Sequence, residues 1–344
     1  MADKITTLIL EPEDYSPMAI AVYQKLGPVY KWPEIEKKEK ERKQILNSVN
    51  TLVVRLGHKI DKNWMDKMPA LRVIATPTTG LNHIDLEYAK QKDIRIISLR
   101  GRTSFLKFIP STAEETWALI LSLVRNMPWA HIHTANVGWN RDLFKGHQLL
   151  GKTLGIVGFG RLGHIVAKYG KAFGMNVVFY DPYKKATAGV KKLASLDQLF
   201  NISDIVSVHA IYDPNTTHRL IKREHLNLMK PSAYFINTAR GEIVDERALL
   251  DVLRNKKIAG AALDVMTGES QGGGHLLGVD STGAAFRGYI QHQTEHYGKD
   301  SSKSHGLPHV LIVPHLGGAT YEAMAVTEDF IADLVFKYFK KKNK

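Results

Sequence analysis

The 344-residue chain contains no cysteine. That single absence excludes disulfides, thiolate nucleophiles, iron–sulfur clusters and thiolate zinc sites together. Long hydrophobic runs are missing as well. The most apolar stretch, Ala118 to Val124, falls far short of the roughly 18 residues needed to cross a bilayer. The opening residues, MADKITTLILEPED, carry no basic region ahead of a long apolar core. No signal peptide is therefore expected, and the expected location is cytoplasmic.

What is present describes an ordinary globular protein. Hydrophobic residues make up 44%, charged residues 24% and aromatics 9%, a balance that argues against disorder. At roughly 100–200 residues per domain the length predicts two domains. Lysine and arginine number 47 against 34 acidic residues, a net charge of +13 with histidine neutral. Such a charge suits nucleic acid, an anionic membrane or small anions, and its distribution narrows the choice. Lys37 to Lys43 (KKEKERK) mixes both signs and reads as a solvated helix face. Lys337, Lys340, Lys341, Lys342 and Lys344 read as a frayed basic terminus. The first run holds no aromatic and the second only the adjacent Tyr338 and Phe339, not the repeated alternation of a stacking platform, so no nucleic-acid or membrane partner is expected.

Short apolar runs of strand length alternate with helix-compatible segments twice along the chain. The first series has strand candidates at Ile5 to Leu10, Thr51 to Leu56, Arg72 to Thr76 and Ile94 to Leu99. The second has Thr153 to Val157, Asn176 to Tyr180, Ile205 to His209, Tyr234 to Asn237, Gly260 to Val265 and Val310 to Val313. Such alternation predicts α/β architecture with parallel sheets, here as two doubly wound domains. Between the series, Ser111 with Glu114 three residues on reads as a capping box opening a helix through Val124. A second helix, Glu246 to Asn255, has Asp245 as its cap.

Gly158-Phe159-Gly160-Arg161-Leu162-Gly163 is G-x-G-x-x-G, preceded by an apolar strand and followed by a helix. Asp181 ends the next strand, 18 residues beyond Gly163. The context makes this a dinucleotide fingerprint: Gly158 for the tight turn, Gly160 for the approach of the pyrophosphate, Gly163 for close packing of helix on strand. Asp181 would accept hydrogen bonds from ribose hydroxyls and repel a 2′-phosphate, which favours NAD over NADP.

Three further motifs follow in order: Asn237-Thr238-Ala239-Arg240-Gly241, Leu263-Asp264-Val265 with Glu269, and Pro314-His315-Leu316-Gly317-Gly318. Each lies at a predicted strand end, where open α/β sheets bind ligands. With the glycine fingerprint, these motifs resemble those of the D-isomer-specific 2-hydroxyacid dehydrogenases, over about Leu52 to Thr320. The resemblance implies a Rossmann NAD-binding domain at 111–316 and a discontinuous flavodoxin-like substrate domain at 1–110 and 317–344, with the active site in a cleft between them. It implies that Arg240 holds the substrate carboxylate and carbonyl oxygen, that His315 is the general acid/base, and that Glu269 orients the imidazole. It further implies cofactor contacts at Thr112, Arg161, Leu162, His209, Ala210, Thr238, Ala239, Arg240, Asp264, His315 and Gly317. Substrate contacts are implied at Thr79, Gly80 and Leu81 through backbone amides, and at Arg55, for which a surface arginine is the alternative. The implied reaction interconverts a D-2-hydroxy acid and its 2-keto acid, and the implied assembly is a homodimer. Arg100, Arg102 and Lys107 hint at an anionic or phosphorylated substrate. The rival function is an NAD-sensing, corepressor-like binding module.

Two features depart from the family pattern. Ser270 stands where a proline is common, and His315 follows Glu269 at a spacing of 46 positions, leaving Glu242 and Glu295 as alternatives to Glu269. Much of that spacing is a segment of about 270–309 with eight glycines and five histidines. It is expected to be a mobile flap or an oligomer-contact loop, with too little apolar surface to order independently. Its His292-Gln293-Thr294-Glu295-His296 matches H-x-x-E-H, but no metal is expected there.

Overall fold

The computed structural model describes residues 4–187, 189–269, 281–299 and 309–342. They divide into two compact units, one formed by 4–109 with 319–342, the other by 110–269, 281–299 and 309–318. Among the described residues no helix is long and apolar enough to cross a membrane.

The first unit contains strands β1 (Thr6–Ile9), β2 (Val29–Lys31), β3 (Val49–Val53), β4 (Val73–Thr76) and β5 (Arg95–Ser98). They form a parallel sheet in the order β2-β1-β3-β4-β5, the flavodoxin-like arrangement. The second unit contains β6 (Thr153–Val157), β7 (Asn176–Tyr180), β8 (Lys191–Lys192), β9 (Ile205–Val208), β10 (Tyr234–Asn237), β11 (Gly260–Leu263) and β12 (His309–Ile312). Its order, β12-β11-β10-β9-β6-β7-β8, is again parallel throughout and doubly wound about β6 and β9.

Both sheets are buried on both faces, as parallel sheets covered by crossover helices must be. Successive side chains of a strand enter opposite layers. Leu8, Leu52 and Ile74 pack on one side of the first sheet, and Ile9, Val53 and Ala75 on the other. In the second sheet Ile156, Val177 and Ile205 face one layer while Val157, Val178 and Val206 face the opposite one. This double burial makes the central strands continuous apolar runs in the sequence. The edge strands β2 and β8 are only three and two residues long. Lacking such runs, they carry no sequence signal.

Three local expectations fail, each for a physical reason. The helix Ser111–Val124 has Pro110 as its N-cap, with no side-chain cap hydrogen bond. Ser111 is already inside the helix and buried, so Ser111 and Glu114 form no capping box. The basic C-terminus is not frayed within the described residues. Tyr321–Lys342 is a helix whose Ile331, Ala332, Val335 and Phe339 are buried beside Ile9 and Val73, while Lys337, Lys340 and Lys341 are exposed. The lysines masked a helical apolar stripe.

The glycine- and histidine-rich segment supplies the third correction. Its residues 270–280 and 300–308 lie outside the described residues, but Ser281–Lys299 is a helix. Phe286 is fully buried beside Leu249, Leu250 and Val310. The Gln293 side-chain oxygen accepts a hydrogen bond from Val310 N at 3.2 Å, a donor on edge strand β12. One phenylalanine and one amide thus tie down a segment too glycine-rich and polar to show an apolar period. His292 is exposed on this helix, and the side chains of Glu295 and His296 are outside those described. Among the described residues no group of three His, Cys, Asp or Glu could hold a metal ion. Phe286→Ala should lower stability by about 3–5 kcal/mol through the cavity it leaves, read as a drop in the denaturation midpoint. An unchanged midpoint would show that the helix does not contribute to the core.

Candidate active site

Every candidate residue in the second unit except Thr112 and Glu295 lies at, or just beyond, the carboxyl end of a parallel strand, and consecutive loops converge there. The glycine loop follows β6. Gly158 adopts φ +89°, and a Cβ there would sit 2.5 Å from Ala210 N, so the loops after β6 and β9 touch backbone to backbone. A Cβ on Gly163 would lie 2.5 Å from the Gly158 carbonyl oxygen. Gly160 differs, because a Cβ there meets nothing within 4 Å. It opens the helix Arg161–Ala172 without a side-chain cap. An open glycine at an uncapped helix N-terminus, where backbone N–H groups and the dipole attract anions, fits a pyrophosphate. Asp181, at the end of β7, accepts from Phe159 N at 2.8 Å and Tyr183 N at 2.9 Å, bracing the same loop. His209, beyond β9, is 8% exposed, and burial pushes its imidazole down to about 4. Its Nε2 pairs with Ser207 Oγ at 2.8 Å, while its buried Nδ1 has no partner among the described residues.

After β10, the Thr238 hydroxyl meets that of Thr116 at 2.9 Å, and Asn237 brackets the turn by accepting from Ala239 N and donating to Arg240 O. The Arg240 guanidinium donates from Nη1 to Ala239 O at 2.6 Å. A Cβ on Gly241 would stand 2.1 Å from Thr267 N, so the turn bearing Arg240 lies directly on the segment after β11.

That segment organises the rest. His315 occupies a left-handed conformation at φ +53°, costly for a residue with a Cβ unless the surroundings enforce it. Asp264 enforces it. Its carbonyl accepts from His315 N at 2.9 Å, and its carboxylate accepts from Leu316 N at 2.5 Å and Gly317 N at 3.0 Å. Burial raises the Asp264 carboxyl above its usual range, with His315 and the two amides pulling the other way. Gly317 is needed because a Cβ there would fall 2.9 Å from Asp264 Oδ2 and 3.0 Å from Thr112 Cγ2. His315 Nδ1 stands 2.6 Å from Glu269 Oε1, and Glu269 Oε2 accepts from Met266 N at 3.3 Å. The carboxylate beside the imidazole is therefore Glu269 rather than Glu242.

In the first unit, Arg55 follows β3 and Thr79, Gly80 and Leu81 follow β4, again at carboxyl ends. The Thr78 hydroxyl donates to Gly80 O at 2.8 Å and fixes the turn. Arg55 is drawn inward: its Nε and Nη2 donate to Glu328 Oε1 at 2.9 and 2.5 Å, and Nη1 donates to Glu13 O at 2.9 Å. The Glu328 side chain is only 1% exposed. This partner escaped the sequence reading because it belongs to a helix 273 residues away.

The family model for the NAD-binding domain of D-isomer-specific 2-hydroxyacid dehydrogenases matches residues 117–317. A D-3-phosphoglycerate dehydrogenase of Methanocaldococcus jannaschii is 33% identical over 94% of this chain, although the chain spans only 55% of that protein. A hydroxypyruvate reductase of Thermotoga maritima is 32% identical over 86% of the chain and 87% of its own length. The crystal structure of D-lactate dehydrogenase from Aquifex aeolicus, complexed with NAD and lactic acid, superposes with a TM-score of 0.74 at 28% identity. That match covers 97% of this chain and 96% of the other. The chain belongs to the D-isomer-specific 2-hydroxyacid dehydrogenase family of NAD-dependent oxidoreductases.

Proposed function

We propose that the chain interconverts a small D-2-hydroxy acid and its 2-keto acid, with Arg240, Glu269 and His315 as the reacting set. The observation that carries this reading is the 2.6 Å pair of His315 and Glu269, held on a strained turn beside the loop bearing Arg240. NAD on the Gly158–Gly163 loop would supply the hydride acceptor or donor. His315 would exchange a proton at the substrate C2 oxygen, and Glu269 would fix the tautomer by accepting at Nδ1, leaving Nε2 for the substrate. Arg240 would bind the carboxylate and C2 oxygen, which suit its planar fork. Thr112, Arg161, Leu162, Asp181, His209, Ala210, Thr238, Ala239, Asp264 and Gly317 would line the dinucleotide.

In the first unit the backbone amides of Thr79-Gly80-Leu81 would receive the substrate carboxylate. Arg55, its charge already matched by Glu328, would act as a hydrogen-bond donor rather than an unpaired cation. The exposed Arg100, Arg102 and Lys107 support an acid carrying further negative charge. The relatives' names, hydroxypyruvate reductase and phosphoglycerate dehydrogenase among them, favour turnover over an NAD-sensing module.

His315→Ala should cost about 10²–10⁴-fold in turnover, the usual contribution of a general acid/base, while NADH still binds. Arg240→Ala should raise KM and lower kcat together. Near wild-type kinetics in either purified variant would remove that residue from the reacting set.

We further propose a homodimer. Between 127 and 150 the chain exposes Met127 (59%), Val137 (96%), Trp139 (91%) and Leu150 (74%), large apolar groups that a second copy would cover. Light scattering should give a mass of two chains that Trp139→Glu halves. A wild-type mass of one chain would contradict the assembly.

A further inference from the structure

We propose that Glu246 is a positioning residue for this reaction: its carboxylate tethers the Asp264–Glu269 segment and so sets Glu269 against His315. The inference rests on the roles given to Glu269 and His315 above.

Glu246 opens the helix Glu246–Arg254. A first-turn glutamate ordinarily sits in water and interacts favourably, though weakly, with the positive end of the helix dipole. Here it is only 8% exposed, and its Oε1 accepts from Thr267 N at 2.8 Å. Capping does not explain this placement, because Asp245 already caps the helix by accepting from Ala248 N at 3.0 Å. Burying a carboxylate is costly unless it is hydrogen-bonded, and its bond to Thr267 is a charge-assisted tether to another loop.

The tethered loop reaches each member of the reacting set. Asp264 holds the backbone of residues 315–317, and Met266 N donates to Glu269. Gly241, next to Arg240, leaves no room for a Cβ against Met266 and Thr267. Thr267 lies beyond the last β11 residue, Leu263, so no strand ladder fixes it. Without Glu246 its N–H loses this acceptor and Glu269 is free to drift. A displacement near 1 Å at a reacting group costs on the order of 100-fold.

Two readouts on the full-length protein test this. Glu246→Ala should lower kcat with a 2-keto acid by about 10–100-fold, with NADH affinity unchanged. Glu246→Gln, which keeps a carbonyl acceptor for Thr267, should recover most of the rate. Combining Glu246→Ala with Glu269→Gln should cost little beyond the larger single loss, because both act through one contact. Additive losses would overturn the proposal. The second readout needs no turnover: the downfield proton resonance of the His315–Glu269 contact, assigned by its disappearance in Glu269→Gln. It should vanish in Glu246→Ala and persist in Glu246→Gln. If Glu246→Ala does not fold, Glu246→Asp, which draws the oxygen back by one methylene, should give the same loss. A resonance unchanged in the alanine or aspartate variant overturns the tether even if the wild type reduces no 2-keto acid. A silent wild type with a Glu246-sensitive resonance would count against the proposed reaction alone.

Discussion

A histidine in a left-handed turn has to be held there, and the buried carboxylate of Asp264 does the holding. Its two oxygens take the amides of Leu316 and Gly317, while its carbonyl takes that of His315. Each hydrogen bond offsets part of the cost of a buried acid and of φ +53° at residue 315. The same five-residue reach of chain delivers Glu269 to the imidazole at 2.6 Å. Asp264 is thus the point through which the strand ends β11 and β12 become one piece of chemistry. Gly317 and Gly241 follow as steric requirements of that closeness rather than as flexible joints.

Parallel sheets make this convergence possible. Their strands run the same way, so all loops at the carboxyl edge come together, and both faces are sealed by helices. In the second unit the edge carries the glycine loop, Asp181, His209, Arg240, the Asp264–Glu269 segment and His315. In the first it carries Arg55 and Thr79–Leu81. The apolar layers on either side supply rigidity, and the loops supply the polar groups.

The sequence disclosed this layout unevenly. The central strands were legible because double burial writes them as apolar runs. The observed Thr153–Val157, Asn176–Tyr180 and Tyr234–Asn237 coincide with the runs. The edge strands Val29–Lys31 and Lys191–Lys192 were not, since they lack that burial. The helix Ser281–Lys299 hid behind glycines, and its anchor is a tertiary contact of Phe286 and Gln293. Met127–Ala135 also escaped notice, because Pro128 reads as a stop. Here it opens a new helix after Asn126 turns left-handed at φ +57°. Among the site residues, motif order singled out His315 and left three glutamates open beside it; the 2.6 Å distance goes with Glu269. Glu246 and Glu328 gave no signal, since an acid on a helix looks solvated until its partner from a distant segment is in place.

In the proposed reaction NADH held on the glycine loop would give its hydride to one face of a 2-keto acid while His315 protonates the oxygen. The most direct measurement supplies NADH with pyruvate or hydroxypyruvate, follows NADH oxidation, and resolves the product by chiral chromatography. The expected result is a D-2-hydroxy acid formed in step with NADH loss. Formation of the L-acid, or no oxidation with any 2-keto acid in a panel of short anionic chains, would contradict it.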